Sequence, residues 1–357
     1  MNRVLVTGAD GFIGAHICKQ LLEAGYAIRA SVHNSEAERC QFLKDDVVLG
    51  VADADVELIQ LDLNLDAGWD SAMDGCDLVV HAASPLPKGK AYLDDQTIIA
   101  TAIDGTMRCL KAAHGQVTRV VMTSSIAAVM YTNGRASDPR RDDLPPITEA
   151  DWSQTAGKNG DIGTYHVSKT LAEQAAWDFV DGLPDDDGLE LVVINPSVVV
   201  GPVLSRWVGF SVDLLYRIAK GQVKVLPNCP MMAPVVDVRD VAKAHVKALT
   251  NPDAPGNRYI LHQGHLDMFK AIDKLGPEFK AKGYKWPWFN VPYAVVRLAG
   301  RFNDEINAMT RLLGPGDGRY RRADGSKVTH DLGVEYRDPV QAVRDTLDSF
   351  RTVGLIE

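Results

Sequence analysis

The chain of 357 residues predicts an α/β fold: a doubly wound parallel sheet of Rossmann type with a smaller C-terminal substrate-binding cap. Three observations predict it. A glycine-rich turn, VTGADGFIG at residues 6–14, stands between a short apolar run and a helical pattern. Apolar runs then alternate with amphipathic stretches as far as residue 200, and beyond Gly201 that rhythm breaks. Apolar runs separated by helices are strands covered on both faces and joined by crossover connections.

The elements follow in order. Arg3 to Val6 is a β-branched, apolar run that reads as a buried strand. After it Ile13, Ile17, Leu21 and Ala24 recur at helical spacing, and Gly25 supplies the stop. Between them Gly8, Gly11 and Gly14 let backbone N–H groups and the positive end of a helix approach a pyrophosphate, where a Cβ would hold the backbone too far away. Further strands are expected at 26–32, 56–61, 78–83, 119–125 and 189–197, making six, with Thr97 to Ala113 and Tyr165 to Val180 as crossover helices. Prolines at 202, 227, 230 and 234 interrupt the pattern before a helix returns at 238–249. The expected dinucleotide-binding domain is therefore 1–200 with 235–250, and the expected cap 201–234 with 251–357. In the aromatic stretch 285–302 two early prolines leave only Tyr293 to Phe302 for continuous helix, so it is read as packing of the cap onto the core rather than as a membrane-surface helix.

Composition excludes several partners. A formal charge of -9, with lysines and arginines scattered, offers no basic stripe for nucleic acid or an anionic membrane. No apolar run reaches a membrane span, and a strand beginning at residue 3 leaves no room for a signal peptide. Five cysteines, odd in number and far apart, support neither a disulfide framework nor a zinc site. The expectation is a cytoplasmic protein without metal, its oligomeric state left open. HQGH at 262–265 lacks a third ligand nearby and reads as a surface turn.

In a doubly wound sheet the ligand binds beyond the carboxyl ends of the strands, where the strand order reverses. Three residue types able to move or hold a proton fall there. The fifth strand runs into Ser124 and Ser125, and the next helix opens with Tyr165 and Lys169 one turn apart on one face. Tyr216 and Lys220 share that spacing but follow the last strand, in the segment assigned to the cap, so position selects Tyr165. A free phenol has a pKa of about 10, and a neighbouring ammonium favours its phenolate. Lys169 is thus expected to lower the pKa of Tyr165, which passes its proton to a carbonyl oxygen as hydride arrives. Ser125 would hold that oxygen, and Lys169 would also bind the nicotinamide ribose.

With TGADGFIG, LDL at 61–63, HAASP at 81–85, TSS at 123–125, YHVSK at 165–169 and NPSVVVGP at 195–202, the sequence resembles the extended short-chain dehydrogenase/reductases. Within them it is similar to the dihydroflavonol reductase-like branch, which includes cinnamoyl-CoA reductases and microbial aldehyde and ketone reductases; ITEADWSQ at 147–154 and DGSKVTHDLG at 324–333 also fit. The resemblance implies Ser125, Tyr165 and Lys169 as catalytic trio. It further implies Gly8, Gly11, Phe12, Ile13 and Gly14 at the pyrophosphate, Asp62 and Leu63 at the adenine, Ala82, Ala83 and Ser84 beside the cofactor, and Pro196 and Val198 near the nicotinamide. Plant dihydroflavonol reductases carry a polar residue where this chain has Met130, so an apolar or aromatic carbonyl is expected to contact Met130 together with Ser125 and Tyr165. The long stretch from Thr132 to Gly163 is expected to contribute to the substrate wall.

The function expected is hydride transfer between a nicotinamide cofactor and an aldehyde or ketone, or the matching alcohol. Two alternatives stay open: a nucleotide-sugar epimerase or dehydratase on the same fold, and a redox-sensing protein that binds nicotinamide without turnover. The intact trio argues against the sensor, which needs no proton donor. The second strand ends at His33 and Asn34 rather than at a carboxylate. An acidic residue there would accept from the adenine ribose and repel the extra phosphate of NADP, so NADP(H) is favoured with NAD(H) as the alternative. His33 and Asn34 are the proposed phosphate contacts, and a contribution from imidazole charge would weaken as pH rises past about 7.

Overall fold

The computed structural model describes residues 2–33, 40–45, 50–52, 54–85, 96–132, 143–155, 163–184, 188–302 and 322–356. Strands β1 (Arg3–Thr7), β2 (Ala27–Val32), β3 (Val56–Gln60), β4 (Leu78–His81), β5 (Arg119–Thr123) and β6 (Glu190–Pro196) fall within the expected runs. So do helices α1 (Phe12–Glu23), α3 (Thr97–Ala113) and α4 (Thr164–Asp181), with the short α2 (Trp69–Met73) before β4. The main sheet has seven strands rather than six. Its order is β10-β6-β5-β4-β1-β2-β3, where β10 is Arg258–Leu261, and every neighbouring pair is parallel.

The seventh strand corrects the expected boundary of the cap. Arg258–Leu261 is buried along its whole length and pairs with Val193 to Pro196 of β6. Helix α6 (Val238–Ala248) packs against α1 and leads the chain to this position. Tyr259 and Leu261 then join a core with Val192, Ile194 and Val241, and Val328 and Leu332 of helix α9 (Ser326–Leu332) close over it. Residues 258–261 and 326–332 therefore belong with the sheet, although they lie inside the span read as cap. A four-residue apolar run after a proline-rich segment carries no mark of which core it will join.

Burial on both faces explains the composition of the strands. Val4, Val6, Ile28 and Val80 face α1 and α6, whereas Leu5, Val79, Val120 and Val193 face α3 and α4. Alternate side chains of a strand point to opposite faces, so a strand covered twice is apolar throughout. A separate core gathers Val200, Leu215, Ile218, Ile272, Phe279, Leu347 and Phe350. It is built from β7 (Val198–Val200), α5 (Asp213–Ala219), β8 (Val225–Asn228), β9 (Met232–Asp237), β11 (Gly264–Asp267), α7 (Met268–Ala281) and α10 (Pro339–Thr352). Thr346 and Ser349 of α10 accept from the backbone N–H groups of Gly201 and Val203 at 2.8 and 2.9 Å, fixing the point where the chain leaves the main sheet.

Two other expectations change. HQGH is not a surface turn: His262 is buried just after β10 and His265 half-buried in β11 (Gly264–Asp267), their rings 5.0 Å apart, and burial lowers both pKa values to about 4. The stretch 285–302 packs less than expected. Trp286 is buried and stacks on Phe279, but Trp288, Phe289, Val295, Leu298 and Phe302 are exposed, just before and on β12 (Phe289–Pro292), on helix α8 (Tyr293–Ala299) and in the turn beyond. Among the described residues β12 pairs only with β8, and Val296 is the buried residue of α8, so the segment presents much of its apolar surface outward.

Candidate active site

The sheet order reverses at β1, with β4 on one side and β2 on the other, and the turns after β1 and β4 meet there. Gly8 has φ 67°, and a Cβ on it would lie 2.8 Å from Ala83 Cα. A Cβ on Gly14 would overlap the Gly8 carbonyl oxygen, so the start of α1 and the turn after β1 need glycine for contact. Ala83 N–H donates to Thr7 Oγ1 at 3.0 Å, and Thr7 Oγ1 bonds His81 Nδ1 at 2.9 Å. These bonds join the glycine turn to Ala82, Ala83 and Ser84. Helix α1 begins at Phe12 and Ile13 with Gly11 as N-cap, without a side-chain cap bond and without an acidic residue in its first turn. Its N–H groups and dipole therefore suit a bound anion, and a dinucleotide's pyrophosphate fits this cradle.

Ser125 follows β5 by two residues and caps the short turn Ile126–Ala128 in extended geometry, with φ -162° and ψ 155°; its Oγ accepts from Ala127 N–H at 3.2 Å. Tyr165 sits in the first turn of α4 with its phenol beside the Ser125 hydroxyl. One turn on, Lys169 is buried and its Nζ donates to Ser84 Oγ at 2.9 Å. The elements β4, β5 and α4 thus bring Ser84, Ser125, Tyr165 and Lys169 together.

The electrostatics differ from the expectation drawn from sequence. Burial pushes the Tyr165 phenol above its ordinary value, and the Ser125 hydroxyl beside it opposes that rise. Lys169 does not lower it here, because the ammonium is turned to Ser84. Burial brings Lys169 itself down to about 8, against the upward pull of Glu173. The two serines also separate: Ser125 serves Tyr165, whereas Ser124 donates to Glu173 at 2.5 Å.

The remaining candidates distribute around this centre. Asp62 accepts from Asn64 N–H at 2.8 Å, and Leu63 packs against Gly105, where a Cβ would lie 2.7 Å from its Cδ2. His33 is exposed at the end of β2, its Nδ1 3.9 Å from Asp62 Oδ2. Asn34 lies outside the described residues, as does most of the stretch 132–163. Arg29, the nearest cation on β2, is committed elsewhere: it pairs with Glu57 and donates to the carbonyls of Ala72 and Asp74. Met130 packs beside Ile126, Val129, Ile147 and Ile260, an apolar cluster next to Ser125. Pro196 is buried at the end of β6 and Val198 half-buried at the start of β7.

Sequence reasoning passed over Glu173, Asn195 and Arg258. All three are buried, and Asn195 and Arg258 both donate to the Glu173 carboxylate. A signal for Glu173 was present, because it repeats the four-residue step from Tyr165 to Lys169 and so falls on the same helix face. Among the described residues no group of three or more His, Cys, Asp or Glu side chains could hold a metal ion, and no helix is long and apolar enough to cross a membrane.

Known proteins resemble the chain over nearly its full length. Cinnamoyl-CoA reductase 1 of Arabidopsis thaliana is 32% identical over 98% of this chain and 90% of its own. Cinnamoyl-CoA reductase 1 of Petunia hybrida is 36% identical over 77% of this chain and 78% of its own. Gre2 from Candida albicans, solved in complex with NADPH, superposes with a TM-score of 0.75 at 26% identity, covering 99% of this chain and 100% of that one. A profile of the NAD dependent epimerase/dehydratase family matches residues 4–261, and the chain belongs to that family.

Proposed function

We propose that this protein is an NADP(H)-dependent reductase of aldehydes or ketones, working in reverse on the matching alcohols. The observation that carries the reading is the gathering of Ser125, Tyr165 and a buried Lys169 held by Ser84, with Tyr165 and Lys169 one helical turn apart beside the Ala82–Ser84 turn. Two reductases at 32% and 36% identity and an NADPH-bound neighbour support it. The family name also covers epimerases. Purified protein without nicotinamide absorbance would exclude those, since they keep their cofactor bound through the cycle.

Bound nicotinamide supplies or accepts the hydride. The pyrophosphate would rest on Gly8, Gly11, Phe12, Ile13 and Gly14, the adenine against Asp62 and Leu63, and the nicotinamide near Ala82, Ala83, Ser84, Pro196 and Val198. Ser125 Oγ orients the carbonyl oxygen, and the Tyr165 hydroxyl delivers the proton to it. A phenol kept protonated by burial suits the reducing direction, in which it acts as acid. Lys169, held by Ser84, would bind the nicotinamide ribose. Met130 and its apolar neighbours favour an apolar or aromatic carbonyl compound. With no carboxylate at His33, the 2′-phosphate of NADP meets His33 and Asn34 without repulsion from that position.

The test is a panel of aromatic and aliphatic aldehydes, ketones and secondary alcohols assayed with NADPH, NADH and their oxidised forms. NADPH-dependent reduction of aromatic aldehydes or ketones is expected. Absence of turnover across the panel, with the nucleotide still bound, would overturn the reading in favour of a sensor.

A further inference from the structure

Glu173 is fully buried, and nothing in the proton-transfer scheme uses it. On helix α4 it continues the stripe of Tyr165 and Lys169 by one more turn, since each step of four residues advances only about 40° around the helix. Its carboxylate accepts from Ser124 Oγ at 2.5 Å, from Asn195 Nδ2 at 2.7 Å and from Arg258 Nε at 2.5 Å. Those donors come from the turn after β5, from β6 and from β10. Asn195 Nδ2 also donates to the Ser125 carbonyl at 3.2 Å, so the carboxylate is one hydrogen-bonded residue away from the catalytic serine's backbone. Arg258 is held from behind by the carbonyls of Glu149 and Asp151 at 2.8 Å each, and its guanidinium lies 3.8 Å from the centre of the Trp152 ring.

We propose that Glu173 is a positioning residue for the reductase chemistry: it fixes the Ser125 turn against helix α4 through Ser124 and Asn195, and it sets a carboxylate one turn beyond Lys169 on the same helix face. The inference rests on the function proposed above. A buried carboxylate is costly without partners, and three charge-assisted donors with a buried arginine compensate it. A leucine would have filled the same volume without those requirements, so its place beneath the trio calls for a functional reason.

The groups facing this stripe are few. Lys169 stands between Tyr165 and Glu173 on its own helix and donates to Ser84 beyond β4, with His81 at the end of that strand. Burial lowers His81 to about 3, so it is neutral in the working range. Glu173 meets Ser124, Asn195 and Arg258, with Glu149 behind Arg258. Helix α3, packed alongside, buries no charged side chain; it brings Thr106 and Cys109, whose thiol burial holds protonated. Glu173 is therefore the acidic group that opposes the desolvation of Lys169. In Glu173→Gln that support is lost and Arg258 is left buried without its counter-charge, and both changes disfavour the ammonium.

The experiment compares wild type, Glu173→Asp and Glu173→Gln in the pH dependence of kcat/KM for NADPH-dependent carbonyl reduction. Alongside it, the titration of Lys169 is followed by competitive acylation and peptide mass spectrometry, a readout that needs no turnover. The alkaline limb and the Lys169 titration are expected to move together to lower pH in Glu173→Gln, by about 1 pH unit, with kcat reduced roughly 10- to 100-fold. Glu173→Asp, which keeps the charge one methylene further back, should fall between the two. A merely structural glutamate would lower activity equally at all pH values and leave Lys169 unmoved. An unmoved Lys169 titration in either folded variant overturns the proposal. Absence of carbonyl reduction by the wild type overturns the function instead, and the labelling still decides the role of Glu173.

Discussion

Tyr165 with Lys169 and Tyr216 with Lys220 have the same spacing in the same chain, yet their surroundings have little in common. At the second pair Lys220 is exposed, and its Nζ donates to the Tyr216 hydroxyl at 2.8 Å, so lysine and tyrosine satisfy each other at the end of α5. At the first pair Lys169 is buried and reaches Ser84 in the turn after β4, while Tyr165 lies beside Ser125 in the turn after β5. Helical spacing aligns two side chains and does no more. The chemistry proposed for the first pair needs a helix that starts beside the carboxyl ends of strands, so that other elements supply a hydroxyl, a cofactor cradle and burial.

The comparison can be broken most directly at the tyrosines. Tyr165→Phe keeps the ring and loses the proton donor, so kcat is expected to fall roughly 10²- to 10⁴-fold while the NADPH dissociation constant stays within about twofold. Turnover with fluorescence titration of NADPH checks both.

The lysines give the next largest difference. Folding lowers the Lys169 pKa from 10.5 to about 8, so between those values the unfolded chain binds the proton that the native chain has released. Stability therefore rises with pH across this window. Relative to Lys169→Met, wild type is expected to gain about 3 kcal/mol between pH 8 and pH 10.5. Denaturant unfolding at both pH values measures it.

A third variant sharpens the account of the cradle beside the first pair. His33→Asp places a carboxylate at the end of β2, where like charge opposes the extra phosphate. The ratio of kcat/KM for NADPH over NADH is expected to drop by at least about 10-fold, a repulsion of ~1.4 kcal/mol. Steady-state kinetics with both cofactors would read it. An unchanged ratio would move phosphate recognition away from His33. The smallest effect is expected at Tyr216→Phe, an edge-on neighbour of Phe350: kcat unchanged and stability within about 0.5 kcal/mol.

Local pattern carried most of the fold and the centre of the site. The glycine turn, the first six strands and the YHVSK helix are legible because each couples a periodicity to a stop or a turn requirement. β10 was not assigned to the sheet, because Arg258–Leu261 has the same short apolar character in any core. The buried hydrogen bonds from Ser124, Asn195 and Arg258 to Glu173 were also hidden. They join residues as many as 85 positions apart, and only the assembled sheet brings them together. The raised phenol of Tyr165 shows the same limit: the sequence places a lysine nearby, but the direction of its ammonium depends on Ser84, 85 residues away.

The most direct test of the central claim is NADPH oxidation with an aromatic aldehyde, measured for wild type, Tyr165→Phe and Tyr216→Phe in one experiment. The account predicts turnover in wild type and Tyr216→Phe at equal rates, and a loss of roughly 10²-fold or more in Tyr165→Phe with NADPH still bound. Equal activity of Tyr165→Phe and wild type, or loss of activity in Tyr216→Phe alone, would contradict it.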